Sequence, residues 1–199
     1  KATKGIYKLV YAVPQNEYNF DLIYNGKEDI ELTFSLNNGA KFIKSSENIL
    51  LFSYLNELTS LGKLLEVEYK KDKINRKAIT TIFDRQRELQ IIYEEKSNGL
   101  LVKHFIKANK PYIPIKYESI SNYLKNQTSN YFENLDFSDE ILQSSSLLLD
   151  KSLAYISSVV NKGFIKQKNY NYNIDKVVTK TKITNPDFQK VFLAKMWEK

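Results

Sequence analysis

Residues 18–36, YNFDLIYNGKEDIELTFSL, carry the pattern that decides the fold. Tyr18, Phe20, Leu22 and Tyr24 recur at every second position, as do Ile30, Leu32, Phe34 and Leu36. Side chains in a strand point alternately to opposite faces, so each set lines one face of a strand. Asn25-Gly26 lies between the two runs. That pair tolerates the positive φ of a tight turn, so the stretch predicts a β-hairpin. Upstream, an apolar run over residues 6–13 stops at Pro14, and Asn37-Asn38-Gly39 marks a further turn downstream.

The alternation resumes farther along. Leu65, Val67 and Tyr69 alternate with Glu66 and Glu68, and residues 78–83 are apolar and β-branched. Leu89, Ile91 and Tyr93 alternate again, and Ser97-Asn98-Gly99 turns the chain into residues 100–106. Residues 50–61 read as the end of a strand followed by a short helix. Sequential strands joined by short turns predict an antiparallel meander over 1–110, as a curved sheet or partial barrel.

The period changes after Pro111 and Pro114. Leu142, Leu149, Leu153, Ile156 and Val160 follow helical spacing, Ser138 offers a cap, and Asp139 and Glu140 suit the positive end of a helix dipole. Lys162-Gly163 supplies a basic last turn and a stop, so one helix is predicted over 138–163. Its face should pack on the sheet. A weaker helix is predicted over 117–132, with Tyr117, Ile120, Leu124 and Tyr131 on one side. Asn185-Pro186-Asp187 starts a terminal helix over 188–197. The predicted fold class is therefore α+β, an antiparallel β-meander packed by C-terminal helices. Residues 1–110 form the sheet and 111–199 a mainly helical part, within one compact domain.

Several chemistries are excluded or unsupported. The chain has no Cys, so disulfides, thiolate zinc sites and cysteine nucleophiles are absent. No two of its six glycines lie close enough to form a phosphate-cradling loop. A single histidine cannot build a histidine metal cluster, and no acidic run has calcium-loop spacing. No catalytic residue, metal ligand or cofactor is predicted. His104 reads as an ordinary strand histidine. Glu94-Glu95 would point to opposite strand faces, and Asp139-Glu140 is explained by a helix start. A carboxylate pair assembled from distant positions leaves no local signature, which keeps an enzyme as the third reading.

Charge is unevenly spread. The formal net charge is +7. Residues 70–87 hold Lys70, Lys71, Lys73, Arg76, Lys77, Arg85 and Arg87 against Asp72 and Asp84, and residues 162–182, with Lys166 and Lys168, hold six lysines against Asp175. Each segment is thus net +5, and the rest of the chain is net negative. Such clusters attract polyanions, and Phe164, Tyr170 and Tyr172 interleave with the second as stacking platforms would. A solvated surface is the plainer reading in a chain with 27 Lys and three Arg, and so few arginines disfavour base-specific readout.

The leading functional expectation is a non-enzymatic binding or structural protein. It would hold an apolar small molecule or a protein partner on the curved sheet, in a pocket lined by Tyr and Phe. The alternative is a sequence-independent binder of nucleic acid or another polyanion through 70–87 and 162–182. No stretch reaches the ~20 apolar residues of a membrane helix. A start at Lys1 without an initiator Met favours export to the periplasm or cell envelope over a cytoplasmic location. Oligomeric state carries no sequence signature.

Overall fold

The computed structural model describes residues 2–13, 16–35, 39–161 and 163–198, with the backbone alone for 11–13 and 16–18. Four strands come first: β1 (Gly5–Val13), β2 (Asn16–Tyr24), β3 (Glu31–Ser35) and β4 (Gly39–Lys44). Eight helices follow among the described residues: α1 (Ser46–Tyr69), α2 (Arg76–Lys96), α3 (Val102–Ala108), α4 (Ile120–Ser129), α5 (Glu140–Gln143), α6 (Leu147–Ser158), α7 (Lys166–Thr181) and α8 (Pro186–Trp197). The α+β class holds. The strands form two small antiparallel sheets, β1–β2 and β3–β4, and no closed barrel. The chain divides into two compact units, Lys1–Tyr7 with Leu22–Asn134, and Lys8–Asp21 with Leu135–Lys199.

The predicted hairpin is corrected. Both of its strands form, but β2 pairs with β1 and β3 with β4. Gly26 does adopt a positive φ of 78°. A Cβ there would lie 3.3 Å from the Cβ of Lys4, so the position also needs the missing side chain. The turn fails to join β2 to β3 because its polar groups serve α1 instead. Asn25 Oδ1 accepts from the Lys27 and Glu28 amides, and Asn25 Nδ2 donates to Glu28 Oε1. The same Glu28 oxygen accepts from the Ser46 amide at 2.7 Å and the Ser46 hydroxyl at 2.5 Å. It thereby caps α1, where a carboxylate meets the helix dipole favourably. The Ser46 hydroxyl holds the Glu28 carboxyl below its ordinary pKa. The expected strand stop at Pro14, the turn residues Asn37 and Asn38, and Lys162 lie outside the described residues.

The larger correction concerns residues 46–108, which are helical rather than a meander. In α1 the buried residues include Tyr54, Leu61 and Leu65, a helical spacing. Val67 is an exposed apolar residue that mimics alternation with Leu65 and Tyr69. In α2 the buried face runs Ile79, Ile82, Phe83, Gln86, Leu89, Gln90 and Tyr93. This is an unbroken helical stripe, concealed because two of its members are glutamines. Exposed Ile91, lying between buried Leu89 and Tyr93, supplied the false period of two. Val102, Phe105 and Ile106 are buried on α3, so His104 sits on a helix. With Phe83 and Ile79 at 0% exposure, these helices form the core of the first unit.

Buried polar groups join elements far apart in sequence. Glu47 Oε2 accepts from the Val102 amide at 2.8 Å, so a residue of α1 caps α3. Asn48 pairs with both backbone groups of Ile23, accepting from its N–H at 3.0 Å and donating to its carbonyl at 2.7 Å. This completes the backbone pairing that a neighbouring strand would otherwise supply. Tyr54 donates to Gln90 at 2.7 Å and Tyr93 to Glu57 at 2.6 Å, each across the α1–α2 seam.

The predicted helix over 138–163 is two helices. Asp139, not Ser138, caps the first, accepting from the Ile141 and Leu142 amides. The chain breaks at residues 144–146, where Ser145 bonds back to the Leu142 carbonyl. The Ser146 amide and hydroxyl donate to Asp21 Oδ2 at 2.6 and 2.7 Å, capping α6. Helix α6 ends at Ser158, with extended backbone at Val159. Its buried face carries Leu148, Ser152, Tyr155 and Ile156, while Leu149 and Leu153 are only half-buried. In α4 the buried residue is Tyr123, whereas Ile120 and Leu124 are exposed. The terminal helix starts two residues earlier than expected, with Asn185 capping and Pro186 in its first turn.

Candidate partner-binding groove

Three helices of the second unit enclose an apolar groove of about 430 Å³. Helix α6 lends Leu153, Ala154 and Ile156, α7 lends Tyr170 and Ile174, and α8 lends Met196 and Trp197. Tyr170 and Ile174 lie one turn apart on the same face of α7. Trp197 is 89% exposed, although a Trp ring is among the costliest side chains to leave in water. Ile165, Ile183 and Val191 of the same unit are also exposed. On the α6 wall Ser157 donates to the Leu153 carbonyl at 2.8 Å, and beside it Ser158 donates to the Ala154 carbonyl at 2.5 Å. A groove so built gains from excluding water and imposes little directional specificity. The thioether of Met196 adapts to varied shapes.

A buried asparagine ladder sets the spacing of α6 and α7. Asn169 and Asn173 lie four residues apart on one face of α7, and both donate to the Val159 carbonyl at 2.8 Å. Asn161 donates through its backbone and side chain to Asn169 Oδ1, and through its side chain to Asn173 Oδ1 at 2.9 Å. The unsatisfied carbonyls at the end of α6 thus find partners on α7. Helix α8 is anchored by buried Phe192, whose ring meets Phe137 edge-on at 6.1 Å and Phe188 at 5.7 Å. On α6, burial pushes the Lys151 ammonium below its ordinary pKa.

The basic residues singled out from sequence fall in separate units. Lys70, Lys71, Lys73, Arg76, Lys77, Arg85 and Arg87 belong to the first, in the α1–α2 turn and along α2. Lys166 and Lys168 begin α7 in the second. Several are engaged. Lys70 pairs with Glu66, Lys71 with Glu68, and Arg87 with Asp84. Arg87 also donates to the Pro114 carbonyl at 2.5 Å. Arg76 lies over the Tyr117 ring at 5.1 Å, and Lys168 over Phe164 at 4.8 Å. Phe164 and Tyr172 meet edge-on at 5.3 Å, so these rings pack against each other and against lysines.

The premise about Glu94 and Glu95 is also corrected. Glu94 and Glu95 lie on α2, not on a strand, and both line a charged depression with Lys103, Lys107 and Lys110. Glu94 accepts from Gln90 at 2.8 Å and lies 3.7 Å from Lys110. No group of three or more His, Cys, Asp or Glu that could hold a metal occurs among the described residues. The expected Tyr/Phe pocket on a curved sheet gives way to packed rings in the first unit. Tyr123 lies against Tyr69, Phe83 and Tyr112 at 5.6–6.2 Å. Burial raises the Tyr69 and Tyr93 hydroxyls to about 12. Sequence reasoning missed Met196 and Trp197; the available signal was the chain's sole Trp in a short helix otherwise rich in apolar residues.

No family model matches the chain, and no solved structure matches it. Chaperone SurA of Buchnera aphidicola subsp. Schizaphis graminum is similar to it. The identity is 24% over 185 residues, which cover 90% of this chain and 41% of that protein. The chain thus spans about two-fifths of the relative's length. No helix among the described residues is long and apolar enough to cross a membrane.

Proposed function

We propose that this protein is a non-enzymatic, chaperone-like binder that holds apolar segments of unfolded protein partners in the α6–α7–α8 groove. The observation that carries the reading is Trp197 and Met196 lining an open apolar groove. Similarity to a chaperone over most of this chain supports the same class of partner. An unfolded segment offers apolar side chains without fixed geometry, which suits an adaptable, weakly directional surface. Export to the cell envelope is part of the proposal. Recovery of the protein wholly in the cytosolic fraction of its native cells would contradict that part.

The test is suppression of client aggregation. A chemically unfolded protein diluted into buffer scatters light as it aggregates, and the wild-type chain should lower that scattering in proportion to its concentration. The double variant Ile174→Ser/Trp197→Ser should lose most of the effect while keeping wild-type ellipticity. Equal suppression by variant and wild type would remove the groove from the account, and no suppression would remove the function. Polyanion binding draws support from the uneven charge. It is weakened because Lys70, Lys71 and Arg87 already have carboxylate partners.

A further inference from the structure

The α1–α2 turn of the first unit carries a second surface unlike the groove. Residues 70–77 are all exposed, and five of the eight are basic against one acid, Asp72. Lys70 and Lys71 are neutralised by Glu66 and Glu68. Lys73 and Lys77 have no ion pair among the described residues. Ile74 projects between them at 37% exposure. The segment preceding α4 lies along α2, held by Arg87 to the Pro114 carbonyl at one end and by Arg76 over Tyr117 at the other. Tyr69 adds a bond to the Glu118 carbonyl at 2.9 Å. Within this fastened segment Ile115 and Lys116 are exposed, Ile115 at 90%.

We infer that this tip docks on an anionic lipid surface. Lys73, Arg76, Lys77 and Lys116 are positively charged groups that complement anionic headgroups. Ile74 and Ile115 can then enter the interfacial layer. The two isoleucines favour lipid over nucleic acid, because single-stranded nucleic acid is held by aromatic platforms and phosphate contacts, and an isoleucine offers neither. Tyr117, the aromatic ring at the tip, is covered by Arg76. The surface belongs to the first unit and is independent of client binding in the groove.

Sedimentation with phosphatidylcholine vesicles, with and without phosphatidylglycerol, tests the inference on the full chain. The wild type should pellet only with phosphatidylglycerol, and less as salt rises. Lys73→Gln and Lys77→Gln should each lower the partition coefficient about fivefold. Ile115→Ser, a change at an exposed site, should lower it about tenfold through lost apolar insertion while leaving the thermal melt unchanged. Pelleting that ignores phosphatidylglycerol, or no pelleting, overturns the inference. So does wild-type vesicle binding by Ile115→Ser coupled with equally tight binding of single-stranded DNA, which would make the tip a general polyanion site. Client suppression retained in Lys73→Gln and Ile115→Ser keeps this test separate from that of the groove.

Discussion

The two units bury their polar groups to different ends. In the first, Glu47, Asn48, Gln90 and Glu57 bond across elements that are 25 to 55 residues apart, and the apolar faces of α1, α2 and α3 close on one another. In the second, Asn169 and Asn173 fasten α6 to α7, and an apolar groove stays open with Trp197 at its wall. One unit closes large rings such as Tyr54 and Phe83 into its own core. The other leaves part of its apolar surface available for a partner. A buried polar network thus says that an arrangement is specified, and the apolar surface left uncovered says where binding is favourable.

The contrast breaks most readily in the core of the first unit. Phe83→Ala, at a site with 0% exposure, should cost about 3–5 kcal/mol in urea unfolding. A loss below about 1 kcal/mol would mean that α2 is not packed as described. Next comes the asparagine ladder. Asn173→Ala should cost about 1–3 kcal/mol, because Val159 and Asn161 lose partners in a buried place. It should also weaken client binding by freeing α7 from α6. Trp197→Ser should change stability by no more than about 0.5 kcal/mol, since the ring is exposed, yet reduce client suppression. A large stability loss there would show that the ring is a core residue.

The smallest effect is alkaline. Tyr69 and Tyr93 have folded pKa values of about 12 against an ordinary value of 10. Their stabilising contribution is therefore complete below pH 10 and is lost as pH rises towards 12, where the unfolded chain binds fewer protons than the folded one. Ellipticity followed against pH should fall across that window. Tyr69→Phe/Tyr93→Phe should flatten the fall, and an unchanged profile would mean that neither hydroxyl is shielded.

The first three strands were legible, as were the terminal helix and its start at Asn185, because local chemistry decides them. The partners of the strands were not. Asn25-Gly26 looks like a hairpin turn in any local reading, and only the arrival of Ser46 shows that Glu28 is committed to capping α1. The helices over 46–108 were misread for a physical reason: exposed Val67 and Ile91 filled in a false alternation, while buried Gln86 and Gln90 interrupted the true stripe. Residues 63–98 contain no Gly or Pro, a signal for long helices that outweighs alternation over so few residues. The groove was not legible at all, since its residues come from three helices and the α6–α7 spacing depends on Asn161, Asn169 and Asn173.

Trp197 allows the central claim to be measured without a label, because it is the chain's sole Trp and lies in the wall of the groove. Fluorescence excited at the indole should be followed while a Trp-free, permanently unfolded polypeptide is titrated in. If apolar segments enter the groove, the indole leaves water, so the emission should shift to the blue and saturate, and Ile174→Ser should weaken the midpoint. An emission spectrum that stays unchanged while light scattering shows the client bound would place binding elsewhere and contradict the account.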